Sequence, residues 1–566
     1  MGKANKDKGA WLRGSLAEVM GKALLCALLL GWGPLYGEEL DQAAVEQVEG
    51  YTESLANQLH DLSLLVLDRE VDGMAAHAAA DLEAWGLPVH VGEPRPQGTW
   101  VAVWDTLAGA RVSGRAGWVE DWRRYLVQFA AIEDVRFKVK QAHFEEGQVV
   151  RAAALVYLAL VGRDPAGRRQ WVEAKAHLEA VLGAEERWSI DYFDLKKYAA
   201  RVARFELFSE VARPAGVYRV VPRFGQPGNQ AFMAHGIAVA DVDQDGWVDA
   251  LATGPGQNFL YLNQGDGTFA DRAADAGVQF SPPANGPLFL DRDNDGDVDL
   301  FLATPGFQLL FDNRLRPDGA PDFIDVSQEA GVAYPAQGYS AAAADIDQDG
   351  WADIYVSSYN QYGTIMPNSW SQATNGTPNL LFVNRGDGTF AEAAASRGVA
   401  DSRWSYAAVF ADVDEDGDPD LYVANDFGEN GYYRNDGAVF VDAAGELGLS
   451  DPGNGMGASF GDFDNDGHLD LHVTNMSSTA GNRILQRLFP DAATQMDQTR
   501  VLNKLAAGNT LFRNVGGGQF EDVSQAVGPF GAGWAFGGGF VDFDNDGWED
   551  LHAPNGFISG KSLKDT

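Results

Sequence analysis

Asp241-Val-Asp-Gln-Asp-Gly-Trp-Val-Asp249 sets a pattern, D-x-D-x-D-G-x-x-D, that returns at Asp291, Asp345, Asp412, Asp462 and Asp542. Every copy keeps Asp at positions 1, 3, 5 and 9 and Gly at position 6, a coincidence of roles that chance does not produce six times. Three carboxylates at alternate positions of a tight loop converge on one centre, a fourth closes the shell at position 9, and the carbonyl of position 7 adds another oxygen. Such all-oxygen, carboxylate-rich ligation suits Ca²⁺, whose coordination is flexible, better than Mg²⁺, which keeps its waters and demands an octahedron. Gly246, Gly296, Gly350, Gly417, Gly467 and Gly547 permit the sharp turn.

The expected metal ligands are therefore Asp241, Asp243, Asp245 and Asp249 in the first loop, and Asp291, Asp293, Asp295 and Asp299 in the second. Asp345, Asp347, Asp349 and Asp353 follow, then Asp412, Asp414, Asp416 and Asp420. Asp462, Asp464, Asp466 and Asp470 make the fifth set, and Asp542, Asp544, Asp546 and Asp550 the sixth, for about six Ca²⁺. An EF-hand shares the opening but needs a bidentate Glu at position 12 and flanking helices. Position 12 holds Ala252, Leu302, Val356, Val423, Val473 and Ala553, within short β-like runs such as Asp299-Leu-Phe-Leu. The loops lie between strands.

A second pattern alternates with the first: Asn258-Phe-Leu-Tyr-Leu-Asn-Gln-Gly-Asp-Gly-Thr-Phe269 followed by Ala276-Gly-Val278, with further copies at Asn379–Phe390 and Asn509–Phe520. Each is an alternating strand, an Asn/Gly turn and a second strand, which is a hairpin signal. One unit is thus about four short strands, and successive loops are 50, 54, 67, 50 and 80 residues apart. That period predicts a β-propeller of six to seven four-stranded blades. The longer gaps carry insertions near Ser357–Pro378 and Ser477–Ala507, the second with a helical pattern.

These paired signatures resemble FG-GAP or VCBS repeats, the calcium-binding propeller repeats of integrin α-subunits, and more closely the bacterial relatives of cartilage acidic protein. The resemblance covers about Phe205–Gly556 and implies seven blades with a cation in most of them, whereas six loops are present and the C-terminal ASPIC/UnbV segment of many relatives is absent. Phe205–Val217 matches the repeat tail Phe520–Gly528 and is expected to pair near Phe540–Ala553. Either the ring closes in this way or the sequence is a truncated fragment.

Lys and Arg number 42 against 81 Asp and Glu, a formal net charge of −39, and 24 of those acids are loop aspartates. Nucleic acid is a poor partner for such a surface. Residues 1–37 combine a basic start with the apolar run Ala23–Trp32 and read as a signal peptide with a cut after Gly37, so no membrane span is expected in the mature chain. Its single cysteine, Cys26, lies in that run, so the exported chain has no disulfide and calcium takes the cross-linking role. The expected location is secreted, periplasmic or cell-surface.

Residues 38–200 lack the repeats and form a separate α+β domain, with the propeller taking 205–566. Val45, Val48, Leu55, Leu59 and Leu62 mark an opening amphipathic helix, and after the Pro/Gly-rich Pro88–Gly98 come Trp100, Trp104 and a further helical stretch near Trp118–Ala131. Val135–Lys140, Val172–Ala180 and Trp188–Leu195 alternate as strands. The ending resembles nuclear-transport-factor-2-like cone domains, in which His143, His177 and Asp191 would be candidates to line a pocket, although each also fits a surface or strand position.

Gly457-Ala-Ser-Phe-Gly461 satisfies the nucleophile-elbow pattern G-x-S-x-G, but occupies the strand entering the Asp462 loop. Arg385-Gly-Asp387 is an adhesion tripeptide inside a hairpin turn. No transition-metal, P-loop or dinucleotide motif is present, so no catalytic residue is assigned. The expected function is a calcium-stabilised, exported scaffold for binding or adhesion to a protein or glycan. The alternative is a hydrolase or lyase working in the cone pocket or at the propeller axis.

Overall fold

The computed structural model describes residues 42–555 except 98, 146, 148, 184–186, 207, 220–234, 255, 361–364, 370–371, 478–503, 506, 529–532 and 534. The signal-peptide reading and most of the Ser477–Ala507 insertion therefore lie outside the described residues. No described helix is long and apolar enough to cross a membrane. The chain divides into two compact units between Glu210 and Val211.

The N-terminal unit is α+β. Helix Gln42–Leu67 buries Leu55, Leu59, Leu62 and Val66, spaced to share one helix face, against an eight-stranded sheet. Four long antiparallel strands dominate that sheet: Ala131–Glu145, Arg151–Arg163, Arg169–Leu182 and Trp188–Ala203. Arg151–Arg163 alternates buried and part-exposed residues along its length, the signature of a sheet with one covered face. Helix Gly114–Leu126 adds Trp118, Trp122 and Tyr125 to the core. Between helices and sheet lies an apolar cavity of about 10 Å³, touched by Leu59, Trp118, Trp122 and Phe137.

Two strands escape the sequence pattern. Ala78–Trp85 pairs in parallel with Trp188–Ala203, and Val89–Gln97 occupies the Pro/Gly-rich stretch. The second survives Pro94 and Pro96 because it is an edge strand, hydrogen-bonded on one side only to Val101–Leu107. His143 is exposed and His177 part-exposed beside Glu179, with Nε2 3.2 Å from Oε1. Asp191 accepts from Arg151 at 2.7 Å, and none of the three candidates lines the cavity.

The second unit is a run of small antiparallel sheets. The first comprises Ile237–Ala240, Asp249–Ala252, Phe259–Asn263 and Phe269–Asp271. The second comprises Gly286–Leu290, Asp299–Ala303, Leu309–Asn313 and Phe323–Asp325. Pro335–Ala344, Asp353–Ser358, Leu380–Asn384 and Phe390–Glu392 build the third, with Pro305–Phe307 as a fifth strand. Ser405–Ala411, Asp420–Asn425, Gly431–Asn435 and Phe440–Asp442 form the fourth. Gly455–Gly461, Asp470–Asn475, Thr510–Asn514 and Phe520–Asp522 form the fifth, and the described part of the sixth pairs Gly539–Val541 with Asp550–His552.

The first strand of each sheet lies against the first strand of the next, from first to sixth. Apolar cores fill the spaces between consecutive sheets, as where Val242, Leu251 and Leu260 meet Leu300, Leu302 and Phe311. Second strands are consequently buried on both faces, which explains why Asp299–Ala303 and Asp420–Asn425 read as continuous apolar runs rather than alternating ones. Tyr406 of the fourth sheet meets Phe536, just before the sixth, with ring centroids 5.9 Å apart. Contact across an intervening sheet requires the inner strands to curve about an axis, so the repeats are propeller-like.

The turn after each outer strand repeats as well. Phe323 and Phe390 donate their N–H to Ala276 and Ala330 of the preceding sheet, and Phe269 donates to Ala215 in the same way. Gly277 follows Ala276 at φ 82°, and a Cβ there would stand 3.1 Å from the Phe323 carbonyl, so the A-G-V signature serves a close approach between sheets. Val211–Val217 thus behaves as a repeat tail, while Phe205 packs on Trp100 of the N-terminal unit, centroids 5.0 Å apart.

One histidine makes the N-terminal unit acid-sensitive. His90 stacks on Trp104 at 5.2 Å and its Nε2 lies 2.9 Å from Tyr198 Oη, which is 3.0 Å from Tyr125 Oη. Burial lowers its pKa to about 4. A depressed histidine pKa means the unfolded chain binds more protons below pH 6.5, so stability present above that pH is lost as pH falls toward 4. At 1.36 kcal/mol per unit the loss reaches about 3 kcal/mol. Urea unfolding at pH 7.5 and 4.5 should show it, and His90→Phe should flatten the dependence; an unchanged slope in that variant would refute the assignment.

Candidate metal centres

Each Asp-rich loop joins the first strand of a sheet to the second, and its shape comes from its own carboxylates. The position 1 side chain accepts the N–H of Gly at position 6: Asp241 from Gly246 at 2.9 Å, Asp345 from Gly350 at 2.8 Å, Asp542 from Gly547 at 2.9 Å. Asp245, Asp349 and Asp546 accept the N–H of position 7. Two residues per loop are left-handed. Gly at position 6 has φ between 86° and 100°, as turn geometry requires, and position 4 lies between 54° and 62° although it is never glycine.

Position 4 is the feature that sequence reading missed. Its side-chain amide reaches the next loop: Gln244 Nε2 donates to the Gly296 carbonyl at 2.8 Å, and Asn294 to Gly350 at 3.0 Å. Gln348 donates to Gly417 at 2.7 Å and Asn465 to Gly547 at 2.9 Å. Glu415, which has no N–H to give, instead meets His468 Nδ1 at 2.6 Å. A left-handed residue costs about 1–2 kcal/mol, and the inter-loop bond offsets it. The visible signal was the amide-rich column Gln244, Asn294, Gln348, Asn465 and Asn545.

Position 9 plays a different part from positions 1, 3 and 5. Asp249, Asp299, Asp353, Asp420 and Asp470 are at most 1 % exposed. One oxygen accepts the N–H of position 2 and the other the N–H of the hairpin asparagine, as in Asp353 with Ile346 at 3.1 Å and Asn384 at 2.7 Å. That asparagine then donates to the position 8 carbonyl and to the preceding loop: Asn384 Nδ2 reaches Ala352 at 3.2 Å and Arg292 at 2.9 Å. Asn313 does the same with Val298 and Val242, and Asn435 with Pro419 and Ile346. Burial, opposed by these N–H bonds, pushes the pKa up to about 6 in Asp249, Asp353, Asp420 and Asp470 and to about 7 in Asp299. Asp550 is exposed, within the two described strands of its sheet.

Positions 1 and 3 converge in each of five loops, joined by position 9 in three of them and by position 5 in the other two. Ligand oxygens lie within 4.8 Å of one another in the sets Asp241/Asp243/Asp249, Asp291/Asp293/Asp295, Asp345/Asp347/Asp353, Asp412/Asp414/Asp416 and Asp462/Asp464/Asp470. An ion with bonds of about 2.4 Å spans such a set, since opposite ligands then stand about 4.8 Å apart. Burial, and next the position 5 carboxylate, raises Asp243, Asp347 and Asp414, so the loops hold negative charge in surroundings that resist it. Asp291, Asp293, Asp412, Asp414 and Asp464 each keep a buried Oδ1 without a hydrogen-bond partner. Orphaned carboxylate oxygens aimed at one point fit a hard cation.

Arginine enters three loops that the pattern treats as equal to the rest. Arg292, at position 2, lies 3.1 Å from Asp293 and also bonds Asp312, while Arg513 lies 2.6 Å from Asp464 and 3.1 Å from Asp466. Arg397 lies 3.7 Å from Asp347 of the third loop, so these three loops carry less unbalanced charge than the first. Ser459 sits mid-strand in Gly455–Gly461, and Arg385–Asp387 is a hairpin turn closed by the Arg385 N–H to Thr389 at 2.9 Å; both motifs serve the repeat.

The two kinds of aspartate separate experimentally. Asp353→Asn puts an amide against two N–H donors and should cost about 2–3 kcal/mol in chelator. Asp347→Asn should leave chelator stability unchanged or higher and remove only the calcium-dependent part. Equal losses in urea melts would show that positions 3 and 9 do the same job.

Comparison with known proteins places this geometry. The model for the FG-GAP-like repeat matches residues 241–302, 291–356, 370–423 and 412–473. Human (Homo sapiens) cartilage acidic protein 1 is 35% identical over 102 residues, which is 18% of this chain and 13% of that protein. Among solved structures, an Agrocybe aegerita lectin recognising non-reducing terminal N-acetylglucosamine covers 78% of this chain and 90% of its own at 14% identity and TM-score 0.29. An NTF2-like protein from Pseudomonas putida covers 27% of this chain and 87% of its own at 14% identity and TM-score 0.17. LinA covers 30% and 98% at 12% identity and TM-score 0.21.

Proposed function

We propose that this FG-GAP-repeat chain is an exported, calcium-stabilised propeller that presents a binding or adhesion surface to a protein or glycan outside the cytoplasm. The observation carrying this reading is the repeated convergence of carboxylate oxygens within 4.8 Å, several of them buried and unpartnered. One Ca²⁺ per loop, six in all, would draw on the 24 aspartates named above. The ring of six to seven blades closes between the sixth sheet and the first. The Val211–Val217 turn, ending on Phe269 like the other repeat tails, supports that closure. Ile237 and Val239, 69% and 61% exposed on the first inner strand, are the apolar face it would cover.

Binding rather than catalysis fits the distribution of polar groups. The loop carboxylates are committed to backbone N–H groups and to the cation, and the N-terminal cavity is lined by apolar side chains and is too small for a substrate.

Calorimetric unfolding with calcium and with chelator tests the proposal. At about 10 mM Ca²⁺, a site with a Kd of about 10⁻³ M contributes about 1.4 kcal/mol, and several such sites shift the second unit's transition by many degrees. A midpoint indifferent to chelator would overturn the calcium role.

A further inference from the structure

Lysine is scarce in this chain and unevenly placed. Between Ala23 and Asn503 there are five, Lys138, Lys140, Lys175, Lys196 and Lys197, and all stand on the long strands of the N-terminal sheet, whereas arginines are spread through both units. Strand register aligns them. Lys138 of Ala131–Glu145 lies opposite Tyr157 of Arg151–Arg163, Tyr157 opposite Lys175 of Arg169–Leu182, and Lys175 opposite Lys197 of Trp188–Ala203. Their strand neighbours Phe137, Val139, Ala174 and Ala176 are buried in the core, so by strand alternation the row points to the other face of the sheet. Lys140, on the same strand as Lys138, has its Nζ 5.4 Å from the centre of the Tyr157 ring. Lys140, Lys175 and Lys197 are exposed, and Lys138 and Tyr157 half-buried.

The row carries charge that the sheet does not neutralise. Glu173 pairs with Arg201 at 2.8 Å and accepts from Tyr157 Oη at 2.8 Å, Asp134 pairs with Arg136 at 2.7 Å, and Asp194 pairs with Lys196. Among the described residues Lys138, Lys175 and Lys197 form no ion pair. Like charges directly opposite one another on a sheet are destabilising, and strands about 4.8 Å apart bring the Lys175 and Lys197 stems side by side. Burial, and next the charges of Arg136 and Lys140, lowers the pKa of Lys138; burial, and next the charge of Lys175, lowers that of Lys140. A chain with 81 acids has ample means to pair these lysines internally, and a row left without them is a cost that an anionic ligand offsets.

We propose that this face of the N-terminal sheet is a docking surface for a linear acidic polysaccharide, whose carboxylate or sulfate groups meet Lys138, Lys140, Lys175 and Lys197. The row crosses four strands, about 14 Å from first to last, which suits a polymer laid across the sheet rather than a single small anion. Tyr157 and Trp171 add part-exposed aromatic surface on the same face, on which the C–H side of a sugar ring packs. A peptide commonly adds to a free strand edge, but the strands of Tyr157, Lys175 and Lys197 are paired on both sides. An anionic bilayer pressed on this face would also meet Glu173, Glu179 and Asp194, which a polymer following the row avoids. The surface is separate from the calcium loops, and failure of calcium to stabilise the protein would leave it standing.

Fluorescence anisotropy of end-labelled hyaluronate and chondroitin sulfate oligosaccharides with the full chain, at about 50 and 200 mM salt, tests it, with neutral dextran, poly-L-glutamate and phosphatidylglycerol vesicles as comparison probes. Saturable binding of either acidic oligosaccharide and not of dextran is expected, weaker at the higher salt. Preference for hyaluronate would assign a carboxylate to the row, and preference for chondroitin sulfate a sulfate. Lys175→Gln/Lys197→Gln should weaken binding about tenfold, as two exposed charge pairs are lost. Arg111→Gln/Arg123→Gln removes the same charge from exposed arginines elsewhere on this unit, Arg123 on the helix covering the other face, and should leave the affinity nearly unchanged. Because the lysine variant relieves repulsion, its melting temperature should be unchanged or higher, which shows it folded where its affinity is read. Absence of saturable binding, equal loss in the two double variants, or tighter binding of poly-L-glutamate or of the vesicles than of either oligosaccharide would overturn the proposal.

Discussion

The second unit depends on a buried aspartate that closes each loop. In five of the sheets its two oxygens hold the N–H of the loop's second residue and the N–H of the hairpin asparagine, so the turn carrying the metal ligands and the hairpin beside it are set by one carboxylate. A buried N–H left unpaired costs about 1–3 kcal/mol. The asparagine extends the tie to the preceding loop, and the position 4 amide extends it to the following one. A row of small sheets, none of which buries an apolar core alone, is thereby joined at its polar end as well as through the cores between sheets.

This arrangement divides labour among carboxylates that look equivalent. Position 9 holds backbone and in three loops also joins the converging set, positions 1 and 5 shape the turn as well as face its centre, and position 3 is the one most fully committed to the centre. Crowding three or four of them costs electrostatic energy that N–H donors relieve only in part. A divalent cation bound there would relieve the rest, so metal binding and rigidity would be two aspects of one constraint. Where Arg292 or Arg513 reaches into a loop, part of that relief comes from the chain itself.

The opposite ends of the same strands have different chemistry. There the second-to-third-strand loops carry Tyr359 and Asp426 rather than a fixed motif, and Trp404 and Phe427 pack beneath them. The two ends are thus one regular and charged, one irregular and aromatic. Variable loops on a regular scaffold are where recognition is usually placed.

Local spacing determined much of this protein. Nine contiguous residues carry the loop's carboxylates, its glycine and its closing aspartate, so the loop, the convergence of its carboxylates and the strands beside it could be read without coordinates, as could the hairpins and the helix at Gln42–Leu67. The edge strand Val89–Gln97, the placement of Phe205 on Trp100, the inter-loop amides, the intruding arginines and the alignment of Lys138, Lys175 and Lys197 were decided only by the tertiary structure. Each joins residues far apart in the chain, or depends on which strand ends a sheet. A spacing rule reports what neighbours along the backbone can reach; it is silent on which distant side chain the packing of sheets will bring alongside.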